Sequence, residues 1–570
     1  MRVVAMKLKN SVVLSAAALL LAIAGCGGGG GGGGTTITPT PPVLLTKAAA
    51  YQLLNQATFG ATDADAAHLI SLGDNTTSAS IWLDEQFAKP ASTQLAYVQA
   101  AYPNPVPPGF NIGTLNTQRV DIWFQNSLKG QDQLRQRVAW ALSNIMVISQ
   151  NSALVNTPYA LADYYDMLAR DAFGNFRTLM QDVTLHVGMG LYLNMLGNHK
   201  PDTARFIRPD ENYARELMQL FTVGLVQLNV DGSNQLVNGQ PVPTFDQSVV
   251  EGFANVYTGW SYAGATSFAA ARGNLVNQVQ PMQAYPEQHS TLTKKVLSYP
   301  GAASTTIPAD QTPAQDLRDA LDNIFNHPTV GPFISKQLIQ KLVTSNPSPA
   351  YVQRVAEKFN NDGSGVRGNL TAVIRAILLD SEARNAPSSA TSGKAKEPLL
   401  RLTQLWRAYG AKAASGKFMP ASAGGPTATF GEGPLLAPSV FNFFSPSFAP
   451  PGEISDQNLI APELQLSTEY LNTLVTNFFW VQAVARTTAQ TGLGADVIFI
   501  DTTAETALAA DSEALVNKVA DKLLAGQISA TLKAQTKTQI ELSPATTAAA
   551  TRVADAIYLI AASPEFALQR

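Results

Sequence analysis

Gln131-Asp132-Gln133-Leu134-Arg135-Gln136-Arg137-Val138-Ala139-Trp140-Ala141-Leu142-Ser143-Asn144-Ile145-Met146-Val147-Ile148-Ser149 sets the fold class. Leu134, Val138, Ala141, Leu142, Ile145 and Met146 recur at three- and four-residue spacing, the apolar face of a helix. The same period runs outward in both directions from Leu44 onward. Tyr159 to Met195 reads as two or three helices, broken near Gly174-Asn175 and at Gly188. Thr312-Pro313-Ala314-Gln315 predicts a helix start: Thr312 as N-cap, Pro313 in the first turn, Gln315 as the reciprocal cap. Thr244-Phe245-Asp246-Gln247 predicts another in the same way. Further helices are expected at Phe333–Thr344, Ala350–Asn360, Leu370–Arg384, Glu397–Tyr409, Ala461–Ala485, Glu513–Leu524 and Thr547–Ala562. Leu225–Pro243 and Ser261–Pro308 read as loops with short strands, and Ala411–Pro451 as a long irregular stretch. The expected fold is mainly α: one large multi-helix body with irregular loop and short-strand insertions.

The chain has 570 residues, 45% hydrophobic and 14% charged, so a large core is easily filled. The formal net charge of −3 gives no electrostatic pull toward nucleic acid. Cys26 is the single cysteine, which excludes a disulfide or a thiolate metal cluster within the chain.

Residues 1–26 read as an export signal. Arg2, Lys7 and Lys9 precede an apolar run, Ser11 to Ala24, too short to span a bilayer as a mature helix. Ile23-Ala24-Gly25-Cys26 matches the bacterial lipobox, so Cys26 is expected to carry lipid and become the N-terminus. Residues 27–43, with eight glycines and then Thr and Pro, form a tether. Residues 44–570 form the helical body. The expected address is the cell envelope, lipid-anchored to the membrane, with the outer membrane favoured in a Gram-negative host because Gly27 rather than Asp follows Cys26.

The densest polar cluster is Pro209-Asp210-Glu211-Asn212-Tyr213-Ala214-Arg215-Glu216-Leu217-Met218-Gln219-Leu220-Phe221-Thr222. At about 100° per residue, Tyr213, Ala214, Leu217, Met218, Leu220 and Phe221 share one side. Glu211, Asn212, Arg215, Glu216, Gln219 and Thr222 share the other. Such a helix is either an amphipathic surface element with a Glu211–Arg215 pair or an acid/base or metal-ligating face. His186 and Asp182 are its nearest upstream partners, and His289 is a further weak metal candidate. His327-Pro328 reads as a cap or turn. Asn360-Asn361-Asp362-Gly363-Ser364-Gly365 begins like a calcium loop, but Thr371 stands where a bidentate Glu is required. No cofactor is specified by any motif.

Glu211-Asn212-Tyr213-Ala214-Arg215-Glu216-Leu217, then Phe221-Thr222-x-Gly224 and Thr258-Gly259-Trp260, resemble the bacterial family named as domain of unknown function 1800. Leu53-Leu54-Asn55-Gln56-Ala57-Thr58-Phe59-Gly60, Arg135-Gln136-Arg137-Val138-Ala139, His327-Pro328, Pro438-Ser439-Val440-Phe441-Asn442 and Ser563-Pro564-Glu565-Phe566 extend the resemblance over nearly the whole body. It implies an exported, largely helical protein without an assigned activity. It also implies a partnership with a secreted protein resembling phosphatases and sulfatases. Many members carry His-Asp where this chain has His289-Ser290. Two functions stand at this level: a lipid-anchored scaffold or binding partner of a secreted protein or surface polymer, and an extracytoplasmic hydrolase. In the hydrolase, Glu211 or Glu216 serves as acid/base and Arg215 or His186 stabilises charge, with or without a metal.

Overall fold

The computed structural model describes residues 43–101, 112–272, 277–385, 392–420 and 425–569. The signal segment, Cys26 and the tether as far as Pro42 lie outside the described residues. Within them stand 26 α-helices and four antiparallel two-stranded sheets, so the body is mainly helical.

The quoted stretch forms a helix over Gln133–Ser143, shorter than its apolar period suggests. Ser143 Oγ and Asn144 Nδ2 both donate to the Trp140 carbonyl, at 2.8 and 2.9 Å, and the chain then turns. All of this helix but Arg135 is buried, which makes it an inner helix rather than an amphipathic surface one. Trp140 packs 5.1 Å from Trp123 inside one continuous apolar core.

Helix starts follow local chemistry closely. Thr312 and Gln315 form the reciprocal cap, with Pro313 in the first turn of Pro313–Phe325. Asp246, not Thr244, caps Gln247–Val256 by accepting from Val249 N at 3.1 Å. Thr244 instead donates its hydroxyl to the Gly224 carbonyl. Tyr159 to Met195 holds three helices, Pro158–Asp171, Phe176–Leu185 and Val187–Tyr192. The second break falls at His186 rather than Gly188, because the His186 ring accepts from Gly188 N at 2.9 Å and caps the third helix. Asp380 does the same between Leu370–Leu379 and Ser381–Arg384. A 3₁₀ turn at Pro462–Leu466 precedes the Glu469–Ala485 helix.

The strands act as clasps. Leu236–Val237 pairs with Gln240–Pro241 in a surface hairpin. Lys394–Ala395 pairs with Leu568–Gln569 near the end of the chain. Gln569 Nε2 then donates to the Leu342 and Val343 carbonyls at 2.8 and 3.1 Å. That clasp holds the C-terminal helices against the middle of the chain. Asn361 and Asp362 close an ordinary turn, with Asp362 Oδ1 accepting from Ser364 N at 2.8 Å and Val366 N at 3.2 Å.

Candidate functional site

The Glu-Asn-Tyr-Ala-Arg-Glu segment is helical only over Asn212–Glu216 and then widens into a π turn, Leu217–Thr222. Thr222 Oγ1 donates to the Leu217 carbonyl at 2.6 Å, stabilising the wider turn. Such insertions recur at functional sites. The following Gly224 has φ +72° and lies so close to the Phe333 ring that a Cβ would sit 2.7 Å from it. This is why glycine ends the Phe-Thr-x-Gly motif.

Glu211 and Arg215 pair at 2.9 Å, and Gln247 closes a triangle with them. Its Nε2 donates to both Glu211 oxygens, at 3.1 and 2.9 Å, while Arg215 Nη2 donates to its Oε1 at 3.0 Å. All three face solvent in part. Glu216 does not: it is buried, and its Oε2 has no hydrogen-bond partner among the described residues. Burial raises the Glu216 pKa above the usual carboxyl value, and the Arg215 charge only partly offsets this. Tyr192 lies close enough that burial, with the Glu216 charge adding to it, pushes the phenol to about 12. Thr222 is buried as well. The expectation of one solvated polar face is therefore corrected. The helix is too short to stand free, and its second half is covered by neighbouring elements.

His186 stays near the segment but pairs elsewhere. Its Nδ1 accepts from Gly188 N, so Nε2 carries the proton and faces Asp163 Oδ2 at 3.2 Å. Asp182 pairs with Arg170 at 2.5 Å. No hydrogen bond or ion pair joins either residue to Glu211 or Glu216 among the described residues. The contact between the two segments is instead Tyr213 Oη to Thr184 Oγ1, at 2.7 Å.

His289 belongs to a separate buried triad. Its Nδ1 donates to the Thr258 carbonyl at 2.9 Å, and its Nε2 faces Asp316 Oδ2 at 2.8 Å. Lys294 Nζ lies 2.5 Å from the same oxygen. Ser290 N donates to Thr258 Oγ1 at 2.9 Å, so the Thr-Gly-Trp motif is a backbone anchor for this triad. Among the described residues, no three His, Cys, Asp or Glu side chains converge as a metal-ligand set. His186, Glu211, Glu216 and His289 each have different surroundings.

Sequence reasoning missed the most charged part of the interior. Arg137, Lys341, Lys394, Glu397, Glu432 and Glu463 gather there, all buried. Lys394 Nζ lies 2.8 Å from Glu463 Oε1 and 3.8 Å from Glu397 Oε1, and donates to the Lys341 carbonyl at 3.1 Å. Arg137 Nη2 donates to that carbonyl too, at 2.8 Å. Arg137 Nε and Nη1, Glu397 Oε1 and Glu432 Oε2 have no hydrogen-bond partner among the described residues. Burial, then the Glu397 charge, pushes the Glu432 pKa well above the usual carboxyl range. Burial also acts upward on Glu397, but Lys394, Lys341 and Arg137 outweigh it and hold that carboxyl low. Burial lowers Lys341 to about 8. Arg137 sits in a motif noted in the sequence, but its partners lie some 200 residues or more away, and no local spacing reveals them.

No curated protein and no solved structure matches the chain. The family described as protein of unknown function (DUF1800) matches residues 52–568. The helical body, with its Glu-Asn-Tyr-Ala-Arg-Glu turn and Thr-Gly-Trp anchor, belongs to that family.

Proposed function

We propose that the protein is exported, lipid-anchored at Cys26 to the cell envelope, and acts there by binding a secreted protein or surface polymer. The anchor rests on the lipobox Ile23-Ala24-Gly25-Cys26 and the glycine-rich tether. No helix among the described residues is long and apolar enough to cross a membrane, so attachment in this reading comes from the lipid. The observation that carries the binding role is the setting of the signature segment. In chain order it is flanked by two projections with exposed apolar side chains. Upstream, Phe206 is 93% exposed at φ +55°, at the tip of a turn closed by Asp202 and Ile207. Downstream, Leu236 and Val237 are exposed on the surface hairpin. The Glu211–Gln247–Arg215 triangle is internally satisfied, so a partner can cover it without stranding a charge.

The test is cross-linking and co-purification from solubilised envelopes. Wild type should bring down a defined partner, and Phe206→Asp with Val237→Asp should lose it. Recovery of the chain alone under several mild detergents would refute the binding role. For the anchor, Cys26→Ser should move the protein from the membrane to the soluble fraction.

A second reading is a hydrolase in which Glu216 acts as a general acid. Its support is the buried Glu216 carboxyl, raised pKa and unpartnered oxygen beside a π turn. If Glu216→Gln turned over every substrate like the wild type, this role would be wrong.

A further inference from the structure

A cleft of about 980 Å³ opens between the N-terminal helix Lys47–Ala57, the Lys394–Leu568 clasp and the end of the Ser512–Leu524 helix. Its lining includes Tyr51 and Gln52 on one side and Gln569 on the other. Three cationic residues line it, Arg384, Lys394 and Lys396, against one carboxylate, Glu565. Glu565 is already engaged, accepting from Ser529 N at 3.0 Å and from Ser529 Oγ at 2.5 Å.

Two of the three cations have only neutral partners. Lys396 Nζ donates to Gln404 Oε1 at 2.7 Å and lies 4.3 Å from the centre of the Phe566 ring. Arg384 donates to Gln56 Oε1, while its buried Nε has no hydrogen-bond partner among the described residues. Neither forms an ion pair with a side-chain carboxylate among the described residues. Both side chains are half-buried, and a cation drawn partly out of water is stabilised by a counter-charge. Burial, with the Arg401 charge adding to it, pushes Lys396 down to about 7, and burial lowers Arg384 to about 10.

The third cation, Lys394, connects the cleft to the buried charged cluster. There Arg137, Lys341 and Lys394 meet Glu397, Glu432 and Glu463, and Lys394 Nζ lies 2.8 Å from Glu463 Oε1. On the wall of the cleft itself, cationic side chains outnumber carboxylates three to one. We propose that this cleft binds a small anionic ligand bearing a carboxylate or phosphate group, held by Arg384 and Lys396 with Lys394 at its inner side. The inference is independent of the lipid anchor and of the signature segment.

Calorimetric titration of the full detergent-solubilised chain with inorganic phosphate and with citrate, against chloride at matched ionic strength, tests it. At least one anion should bind at one site per chain. At about pH 8, above the Lys396 value of about 7, binding should take up protons, seen as a dependence of the heat on buffer ionisation enthalpy. Phosphate binding alone would identify a phosphoryl ligand, and citrate binding alone a carboxylate. Lys396→Met and Arg384→Gln should each weaken binding about tenfold, while Lys396→Arg should retain it. Circular dichroism checks each fold. Should Lys396→Met unfold, Arg384→Gln and Lys396→Arg still decide the question. The proposal fails if neither anion binds beyond chloride, or if Arg384→Gln binds both anions as tightly as the wild type.

Discussion

Trp140 donates its indole N–H to Glu397 Oε2 at 2.7 Å, joining two residues 257 positions apart at the edge of a buried charged cluster. The bond fixes one oxygen of a carboxylate whose other oxygen has no hydrogen-bond partner among the described residues. Lys394, Lys341 and Arg137 keep Glu397 ionised despite complete burial. Removing that charge would leave these cations under-compensated. Glu397→Ala is expected to destabilise the protein by about 3–5 kcal/mol, and Trp140→Phe by about 1–3 kcal/mol. Urea unfolding of both variants checks the order, and equal losses would contradict the dominance of the charge.

Glu211 and Glu216 should respond in opposite ways to the same change. Glu211→Gln breaks a partly exposed pair and should cost no more than about 1 kcal/mol. Glu216 has a raised pKa, so its ionised form is disfavoured in the folded state. Its contribution therefore weakens as pH rises through the folded pKa. Glu216→Gln removes that cost and should leave stability at neutral pH unchanged or raised by about 1 kcal/mol. Thermal unfolding at neutral pH separates the cases. A large loss for Glu216→Gln would make this carboxyl a structural member of the fold.

Gly259 explains the middle of the Thr-Gly-Trp motif. Its φ is +78°, and a Cβ would lie 2.9 Å from both His289 N and the Tyr285 carbonyl oxygen. Gly259→Ala should cost about 2–4 kcal/mol from left-handed backbone strain and the clash together. The midpoint of denaturant unfolding should fall accordingly, and a neutral result would show that this loop can move aside.

His327 predicts acid sensitivity. Burial, then the Arg367 charge, lowers its pKa from 6.5 to about 4. Its Nδ1 accepts from Thr329 N at 3.2 Å and needs the neutral ring to do so. Because the folded state disfavours the protonated ring, the unfolded chain binds the proton first as pH falls. The stabilisation is whole above pH 6.5 and is lost progressively toward pH 4, by on the order of 3 kcal/mol. His327→Asn should flatten the stability profile between those values, and a profile parallel to the wild type would exclude His327 as its source.

Local chemistry was legible wherever one turn of chain contains the whole interaction. Thr312, Pro313 and Gln315 specify their helix start because cap and partner are three residues apart. The Glu211–Arg215 pair is legible for the same reason. Thr244 misleads because Asp246, two residues on, is the better acceptor for the helix N–H groups, while Gly224 takes the Thr244 hydroxyl. Glu216 misleads because helical periodicity assumes a helix that continues. The π turn and the packing near Tyr192 cover the face that the period assigns to water.

The sequence by itself determined the mainly helical class, the family and helix starts such as Pro313, since periodicity, caps and short motifs are local and need no partner from afar. Only the tertiary structure decided which charges meet. Arg137, Lys341, Lys394, Glu397, Glu432 and Glu463 come from five separate parts of the chain, and Arg384 and Lys396 form no ion pair with a carboxylate side chain among the described residues. Whether a charge is paired, stranded or solvated depends on burial and on neighbours hundreds of residues away, and no spacing along the chain encodes that.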